Sequence, residues 1–135
     1  MPFLLDTNVC SWSVKAPPGA RILTLVSQYA GQLYASRVTC AELYAFGYQT
    51  NAKYLARIEN QIDDLKILEF DEECAREYGR LHARLAERGH QGGRVDLMIA
   101  ATAIVHGLPL VTYDGDFKTF QNVIPELRLE YWLST

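Results

Sequence analysis

Short apolar segments alternate with longer segments of helical periodicity throughout the chain. The short segments predict buried strands, and the longer ones predict helices because their apolar residues recur every three to four positions. Strands that alternate with helices form parallel sheets covered on both faces, which defines an α/β fold. The predicted strands are residues 2–6, 33–36, 66–70, 108–112 and 127–131, and the predicted helices are residues 7–16, 18–29, 39–48, 51–63, 72–88 and 96–106. At 135 residues the chain fits one domain of ordinary size, so we expect a single domain over residues 1–135.

Composition excludes several classes of protein. Hydrophobic residues make up 49% of the chain, which is typical of a globular domain. No apolar run reaches the ~20 residues that span a bilayer, and the segment MPFLLDTNV lacks the basic start of a signal peptide. We therefore expect a cytoplasmic protein that does not enter a membrane. The cysteines are far apart and form no C-x-x-C motif, so we expect them to be buried and reduced, with no zinc site and no disulfide framework.

Acidic residues follow most of the predicted strands at the point where each strand ends. In an open parallel sheet the carboxyl ends of the strands share one edge, and functional crevices lie beyond that edge. Acids from four distant segments are therefore expected to face one crevice. They are Asp6, Glu42, Asp96, Asp114 and Asp116.

Each acid also has a structural interpretation. Asp6 could cap the helix that follows it, since Asp is a favoured N-cap residue. Thr39 and Glu42 match the spacing of a capping box, in which Glu42 would bond the Thr39 backbone. Asp96 could complement the dipole at a helix start, and Asp114 precedes a glycine in a common turn pair. Taken together, however, acids at nearly every strand exit favour a functional interpretation.

A cluster of carboxylates has a specific chemistry. Carboxylates within a few ångströms repel each other, and a divalent cation relieves that repulsion. Mg²⁺ prefers oxygen ligands, lowers the pKa of a bound water and polarises a phosphoryl oxygen. Because no His or Cys nucleophile is predicted near these acids, the pattern favours metal-assisted phosphodiester hydrolysis over covalent catalysis.

Four segments resemble the VapC-type PIN domain in both order and spacing. They are LLDTNV near the start, SRVTCAELYAFG in the first third, GGRVDLMIAATAIVHGLPLVTYDGDF, and LRLEYW near the end. The resemblance extends over nearly the whole chain. It implies a three-layer α/β/α domain with a central parallel sheet, and it implies Mg²⁺- or Mn²⁺-dependent endoribonuclease activity.

The resemblance also implies roles for individual acids. Asp6 and Asp96 correspond to the main metal ligands, and Glu42 and Asp114 correspond to the other members of the acidic set. Asp116 resembles the auxiliary acid that precedes a phenylalanine in the family.

Two polar residues and several partners follow from the same resemblance. Asn8 and Thr112 resemble the neighbours that orient the carboxylates. VapC-like proteins are toxins of type II toxin–antitoxin modules that usually form homodimers, and a small VapB-type antitoxin inhibits each by filling the crevice with its tail. Their substrates are tRNA or other structured RNA.

Many relatives carry Gly-x-Pro-Ile-Gly where this chain has residues 89–93, GHQGG, and the added glycines loosen that loop.

The charge of the chain limits how it can bind RNA. The formal net charge of −3 argues against binding by bulk positive charge. Arg88 and Arg94 lie nearest the predicted crevice, so they are the RNA-binding candidates. Arg76 and Arg80 are expected to form ordinary helix pairs with neighbouring glutamates.

Two other classes of function compete with this interpretation. The first is a catalytically inactive PIN-like module that binds a partner, with Trp12, Tyr44, Phe46 and Tyr48 as interface candidates, although such spacing is more typical of core residues. The second is a phosphatase or receiver-type domain with an aspartate nucleophile, which needs a second acid that the segment DTN lacks. A dinucleotide-binding domain is excluded because no glycine follows the first strand.

Overall fold

Five short strands form one parallel sheet at the centre of the molecule. The structure is a computed structural model that describes residues 2–90, 94–112, 115 and 117–132. The strands are β1 (Phe3–Leu5), β2 (Leu33–Ser36), β3 (Lys66–Leu68), β4 (Leu110–Thr112) and β5 (Leu129–Tyr131), and their order across the sheet is β3-β2-β1-β4-β5. Every neighbouring pair is parallel, so the predicted α/β architecture is confirmed.

Helices cover both faces of the sheet. Those in the described residues are α1 (Thr7–Lys15), α2 (Arg21–Gln28), α3 (Arg37–Thr50), α4 (Ala52–Asp64), α5 (Glu72–Glu87), α6 (Arg94–His106) and α7 (Lys118–Val123). Helices α1 to α4 supply one core cluster, and α5 to α7 supply the other. None of these helices has the length and apolar character needed to cross a bilayer.

The side chains of the central strand alternate between the two core clusters. Phe3 and Leu5 pack against α1 to α4, whereas Leu4 packs against α5 to α7. All three are almost fully buried. Each buried side chain of this size stabilises the fold by about 1.5–3 kcal/mol, so β1 anchors both layers.

The beginning of α3 corrects one prediction. The sequence predicted a helix from residue 39 and a capping box between Thr39 and Glu42, but α3 begins at Arg37. Ser36 is its N-cap, and its hydroxyl accepts a hydrogen bond from the Val38 N–H at 3.0 Å. The capping-box interpretation is therefore wrong, and both side chains are available for other contacts.

Of two other helices, one begins as predicted and the other was not predicted. Asp71 caps α5 as predicted, since it accepts a hydrogen bond from the Cys74 N–H at 3.1 Å. Helix α7 was not predicted, because it has only 6 residues and its N-cap, Phe117, makes no side-chain capping bond. It forms because Phe120 and Val123 fall on one buried face.

Glycines end two of the helices. Gly107 follows α6 with φ 64°, and the Leu108 N–H donates to the Ala103 carbonyl at 2.9 Å, which is the Schellman arrangement. Gly89 has φ 75° after α5, where the His90 N–H donates to the Leu85 carbonyl. The first glycine of the segment 89–93 therefore terminates a helix, and residues 91–93 lie outside the described residues.

Helices α3 and α4 approach each other closely at Gly47. A Cβ atom on Gly47 would lie 3.1 Å from the Leu55 Cα and 3.1 Å from the Ile58 Cδ1. This spacing is tighter than most Cβ contacts, so only glycine fits without displacing a neighbour. The contact fixes α3 against α4.

Candidate active site

Asp6 lies at the carboxyl end of the central strand. Its N–H donates to the Val111 carbonyl at 3.0 Å, which continues the pairing of β1 with β4. Its Oδ1 accepts a hydrogen bond from the Val9 N–H at 2.8 Å, so it is the N-cap of α1. The carboxylate is nonetheless 2% exposed, which is unusual for a capping acid. The capping interpretation is confirmed, and the burial calls for a further explanation.

Polar side chains flank Asp6 on both sides of the sheet edge. Leu5 pairs with Ala35 on β2 and with Val111 on β4, so the next residues, Ser36 and Thr112, lie beside Asp6. Both are fully buried. The carboxyl edge therefore buries a row of oxygen-bearing side chains. Asn8, in the first turn of α1, is exposed.

Glu42 reaches the same region from α3. Its Oε1 accepts a hydrogen bond from the Thr7 hydroxyl at 2.5 Å, and the Thr7 Oγ1 lies 3.1 Å from the Thr39 Oγ1. Because Thr7 directly follows Asp6, this contact brings two of the predicted acids close together. Sequence reasoning missed Thr7, although its hydroxyl at the start of α1 and its place in the LLDTN motif were a signal.

Asp96 is the third residue of α6, in its first turn. Helix α6 ends at His106, only a few residues before β4 begins. At 1.5 Å per residue its 13 residues extend about 20 Å, so its first turn lies towards the opposite, carboxyl edge of the sheet. Asp96 is half-buried there.

The remaining predicted acids, Asp114 and Asp116, lie outside the described residues. Within the described ranges, no group of three or more His, Cys, Asp or Glu residues is close enough to hold a metal ion. The convergence of all the predicted acids on one crevice therefore stays a prediction.

A buried cysteine, Cys10, lies close to Asp6. All three cysteines are free and buried, as predicted. Burial raises the pKa of the Cys10 thiol well above its usual range, and the charge of Asp6 raises it further. Burial also raises the pKa of the Cys40 thiol. Burial therefore favours the protonated form of both thiols.

The four arginines singled out from the sequence fall into two groups. Arg76 and Arg80 pair with Glu72 and Glu77 within α5, at 3.2 and 3.0 Å, which confirms the prediction of ordinary helix pairs. Arg88 is the C-cap of α5, and Arg94 is the first residue of α6. Both are exposed, and neither forms an ion pair within the part of the chain that the structure describes.

One further arginine lies close to the carboxyl edge. Arg37 directly follows β2, and its guanidinium donates to both oxygens of Glu69, with the shortest contact 2.7 Å. The Arg37 hydrogen bonds hold the pKa of the Glu69 carboxyl below its usual value. Arg37 therefore already pairs with a carboxylate.

The aromatic residues considered as a partner surface do not form one exposed patch. Trp12, Tyr44 and Phe46 are partly buried against the core cluster of α1 to α4. Tyr48 is 76% exposed. The core interpretation is confirmed for all except Tyr48.

A cavity of about 740 Å³ lies between α1, α2 and α4, against Leu5 of β1 and Leu33 of β2. Its lining is mostly apolar, with Leu5, Leu23 and Leu33 among the contributors. Asp6, Ser36 and Thr112 are not among the residues that line it.

Comparison with known proteins gives a consistent result. Residues 3–122 match the PIN domain family. The chain is 34% identical over 136 residues to the ribonuclease VapC2 of Haemophilus influenzae, covering 98% of this chain and 99% of that one. It is also 34% identical to the tRNA(fMet)-specific endonuclease VapC of Shigella flexneri, covering 98% of each chain.

A solved structure extends the comparison to the fold. VapBC2 from Rickettsia felis, bound to a DNA fragment from its promoter, superposes with a TM-score of 0.85 at 28% identity, covering 98% of this chain and 99% of that one. The chain therefore belongs to the PIN-domain family, within its group of VapC ribonucleases.

Proposed function

We propose that the protein is a Mg²⁺- or Mn²⁺-dependent endoribonuclease and the toxin component of a type II toxin–antitoxin module. Asp6 and Asp96 would be the main metal ligands, with Glu42, Asp114 and Asp116 completing the acidic set. Asn8 and Thr112 would orient these carboxylates. The bound cation would supply an activated water and a counter-charge for the phosphoryl group.

The burial of Asp6 is the observation that carries the proposal. Asp6 is 2% exposed and lies at the carboxyl end of the central strand between Ser36 and Thr112, and the contact of Thr7 with Glu42 brings a second acid to the same edge. The capping bond of Asp6 could be made equally well by an exposed side chain. The oxygen-bearing side chains around Asp6 suit a hard cation such as Mg²⁺ or Mn²⁺.

The RNA would lie across the carboxyl edge. We propose that Arg88 and Arg94 contact its phosphates, because they are exposed cations at the junction of α5 and α6, where Asp96 also lies. With a net charge of −3, the protein would bind RNA modestly and in a salt-sensitive manner. The substrate class would be tRNA or another structured RNA, and a relative named for tRNA(fMet) makes that tRNA the first probe.

A VapB-type antitoxin would inhibit the enzyme. This part of the proposal is supported by the structural likeness to VapBC2 from Rickettsia felis. The antitoxin tail would occupy the crevice at the carboxyl edge and compete with RNA for the acids. A homodimer, a cytoplasmic location and a single domain over residues 1–135 complete the proposal as predictions.

Cleavage of RNA in the presence and absence of metal tests the proposal. Purified full-length protein is incubated with tRNA(fMet) and with total tRNA, with Mg²⁺, with Mn²⁺ and with EDTA. We expect cleavage that needs the metal and that is lost in Asp6→Ala and in Asp96→Ala.

The matched control is Asp63→Ala, which removes an exposed acid at the end of α4. It should cleave like the wild type. Cleavage that persists in EDTA would reject the metal mechanism, and no cleavage with any metal would favour the inactive partner-binding module.

A further inference from the structure

A pair of hydroxyl groups links the interior of the protein to the Glu42 carboxylate. Thr7 Oγ1 lies 2.5 Å from Glu42 Oε1 and 3.1 Å from Thr39 Oγ1. Thr39 is fully buried, Thr7 is half-buried and Glu42 is exposed. The link therefore runs outward from between α1 and α3 to the surface beside the carboxyl edge.

The direction of these hydrogen bonds follows from the groups involved. An ionised carboxylate only accepts hydrogen bonds, and a threonine hydroxyl carries a single proton. Thr7 therefore donates to Glu42, and its oxygen accepts the proton of Thr39. Both hydroxyls then point their protons towards the Glu42 side chain.

We propose that Thr7 is a positioning residue, supported by Thr39, that holds Glu42 in the orientation required for metal binding. This inference rests on the proposed function. Thr7 directly follows Asp6, so one dipeptide carries a ligand and the group that orients a second ligand from another helix. The hydrogen bond occupies only Oε1, and Oε2 has no hydrogen bond within the described residues, so it is available to a cation.

The exposure of Glu42 favours positioning over a purely structural role. An exposed carboxylate keeps most of its hydration, so its hydrogen bond to Thr7 stabilises the fold little. The contact does, however, restrict a long side chain that would otherwise sample many rotamers. Partners that orient a ligand in this way typically change metal affinity or activity by about 10–100-fold when removed.

Titration with Mn²⁺ alone, followed by calorimetry on the full-length protein without RNA, tests the inference. Thr7→Val removes the hydroxyl at nearly constant shape and should weaken Mn²⁺ binding by roughly 10-fold or more. Thr7→Ser restores the hydroxyl and should bind within a few-fold of the wild type. Thr24→Val, at an exposed position on α2, is the matched control and should be unchanged.

A double-mutant cycle separates positioning from a general structural effect. If Thr7 acts through Glu42, then Thr7→Val should add little to the loss already caused by Glu42→Gln. Thr39→Val should weaken Mn²⁺ binding less than Thr7→Val, because its effect passes through Thr7. Circular dichroism confirms that each variant is folded.

The outcomes distinguish this inference from the function on which it rests. Asp6→Ala is measured in the same series. Loss of Mn²⁺ binding in Asp6→Ala together with unchanged binding in Thr7→Val would overturn the inference alone. Additive losses in the cycle, or a folded Thr7→Ser that binds as poorly as Thr7→Val, would also overturn it. A wild type that does not bind Mn²⁺ would overturn both.

Discussion

The two edges of the sheet bury different kinds of side chain. At the carboxyl edge Asp6, Ser36 and Thr112 are all buried, side by side on neighbouring strands. At the amino edge the buried residues are apolar, as at Phe3 and Leu33. The same strands therefore begin in a hydrophobic layer and end in a polar one.

This difference separates stability from function within one sheet. Apolar burial contributes to folding directly, whereas polar burial costs free energy unless hydrogen bonds or a cation compensate it. Asp6 and Ser36 offset part of this cost by capping α1 and α3. We therefore expect that a loss of side-chain volume at the amino edge reduces stability, and that a loss of charge at the carboxyl edge reduces activity.

The largest effect is expected from neutralising an acid at the carboxyl edge. Asp96→Asn should reduce RNA cleavage by more than roughly 100-fold, beyond the usual effect of a residue that only orients ligands. The proposed convergence of the acids also predicts that the melting temperature of the metal-free protein rises, because the substitution removes one of the charges that would repel each other. Thermal unfolding with EDTA checks this, and a clear fall would mean that Asp96 mainly stabilises the start of α6.

A substitution that removes apolar volume at the amino edge should have the opposite effect, a loss of stability without a loss of metal dependence. Leu33→Ala should reduce the free energy of unfolding by about 2–5 kcal/mol and leave the metal dependence of cleavage unchanged. Leu33 is 4% exposed and lines the cavity of about 740 Å³. Side chains around this cavity can shift into the space that Ala leaves, which reduces the loss of stability. Urea denaturation measures the loss. If cleavage by the folded protein falls more than stability explains, the two edges are coupled.

A smaller effect is expected from the cations proposed to contact RNA. Arg94→Gln should weaken RNA binding several-fold and lower the salt slope by about 1, because one phosphate contact is lost. Arg76→Gln is the control, since Arg76 already pairs with Glu72. Filter binding at several salt concentrations measures both. Equal effects of the two substitutions would remove Arg94 from the proposed interface.

The smallest effect concerns the ion pair between Arg84 on α5 and Glu126, in the segment before β5. Arg84 donates to both oxygens of Glu126, and these bonds hold the pKa of Glu126 below its usual 4.5. A lowered pKa means that the stabilisation is present at neutral pH and is lost as the pH falls below about 4.5. Since the pair is partly exposed, Glu126→Gln should cost less than about 1 kcal/mol at pH 7.

Denaturation of the wild type and Glu126→Gln at pH 7, 5, 4 and 3 measures this difference. The gap between the two curves should close towards pH 3. A gap that widens on acidification would contradict the sign of the pKa change.

Much of the sheet could be predicted because its strands are short apolar runs. The segment LYAS coincides with β2, and LLD correctly places Asp6 at the end of a buried strand. The strand order could not be predicted, because periodicity does not specify which strands pair. Helix α7 was missed for a related reason, since it depends on packing more than on a local signal.

The candidate site could be predicted in its residue types more than in its contacts. The identity of Asp6 as an N-cap was local and readable. The contact between Thr7 and Glu42 joins residues 35 positions apart, and it exists only because α1 and α3 pack side by side. The local alternative, a capping box at Thr39, was wrong because Ser36 supplied the cap first.

The close approach at Gly47 makes the position of Glu42 depend on a residue outside the crevice. Both lie on α3, five residues apart, so a side chain at Gly47 that pushes α3 away from α4 would also displace Glu42. A lineage could therefore lose activity through a substitution at Gly47 while every acid is retained. A classification of related chains by their acidic residues alone would therefore count such inactive proteins as active.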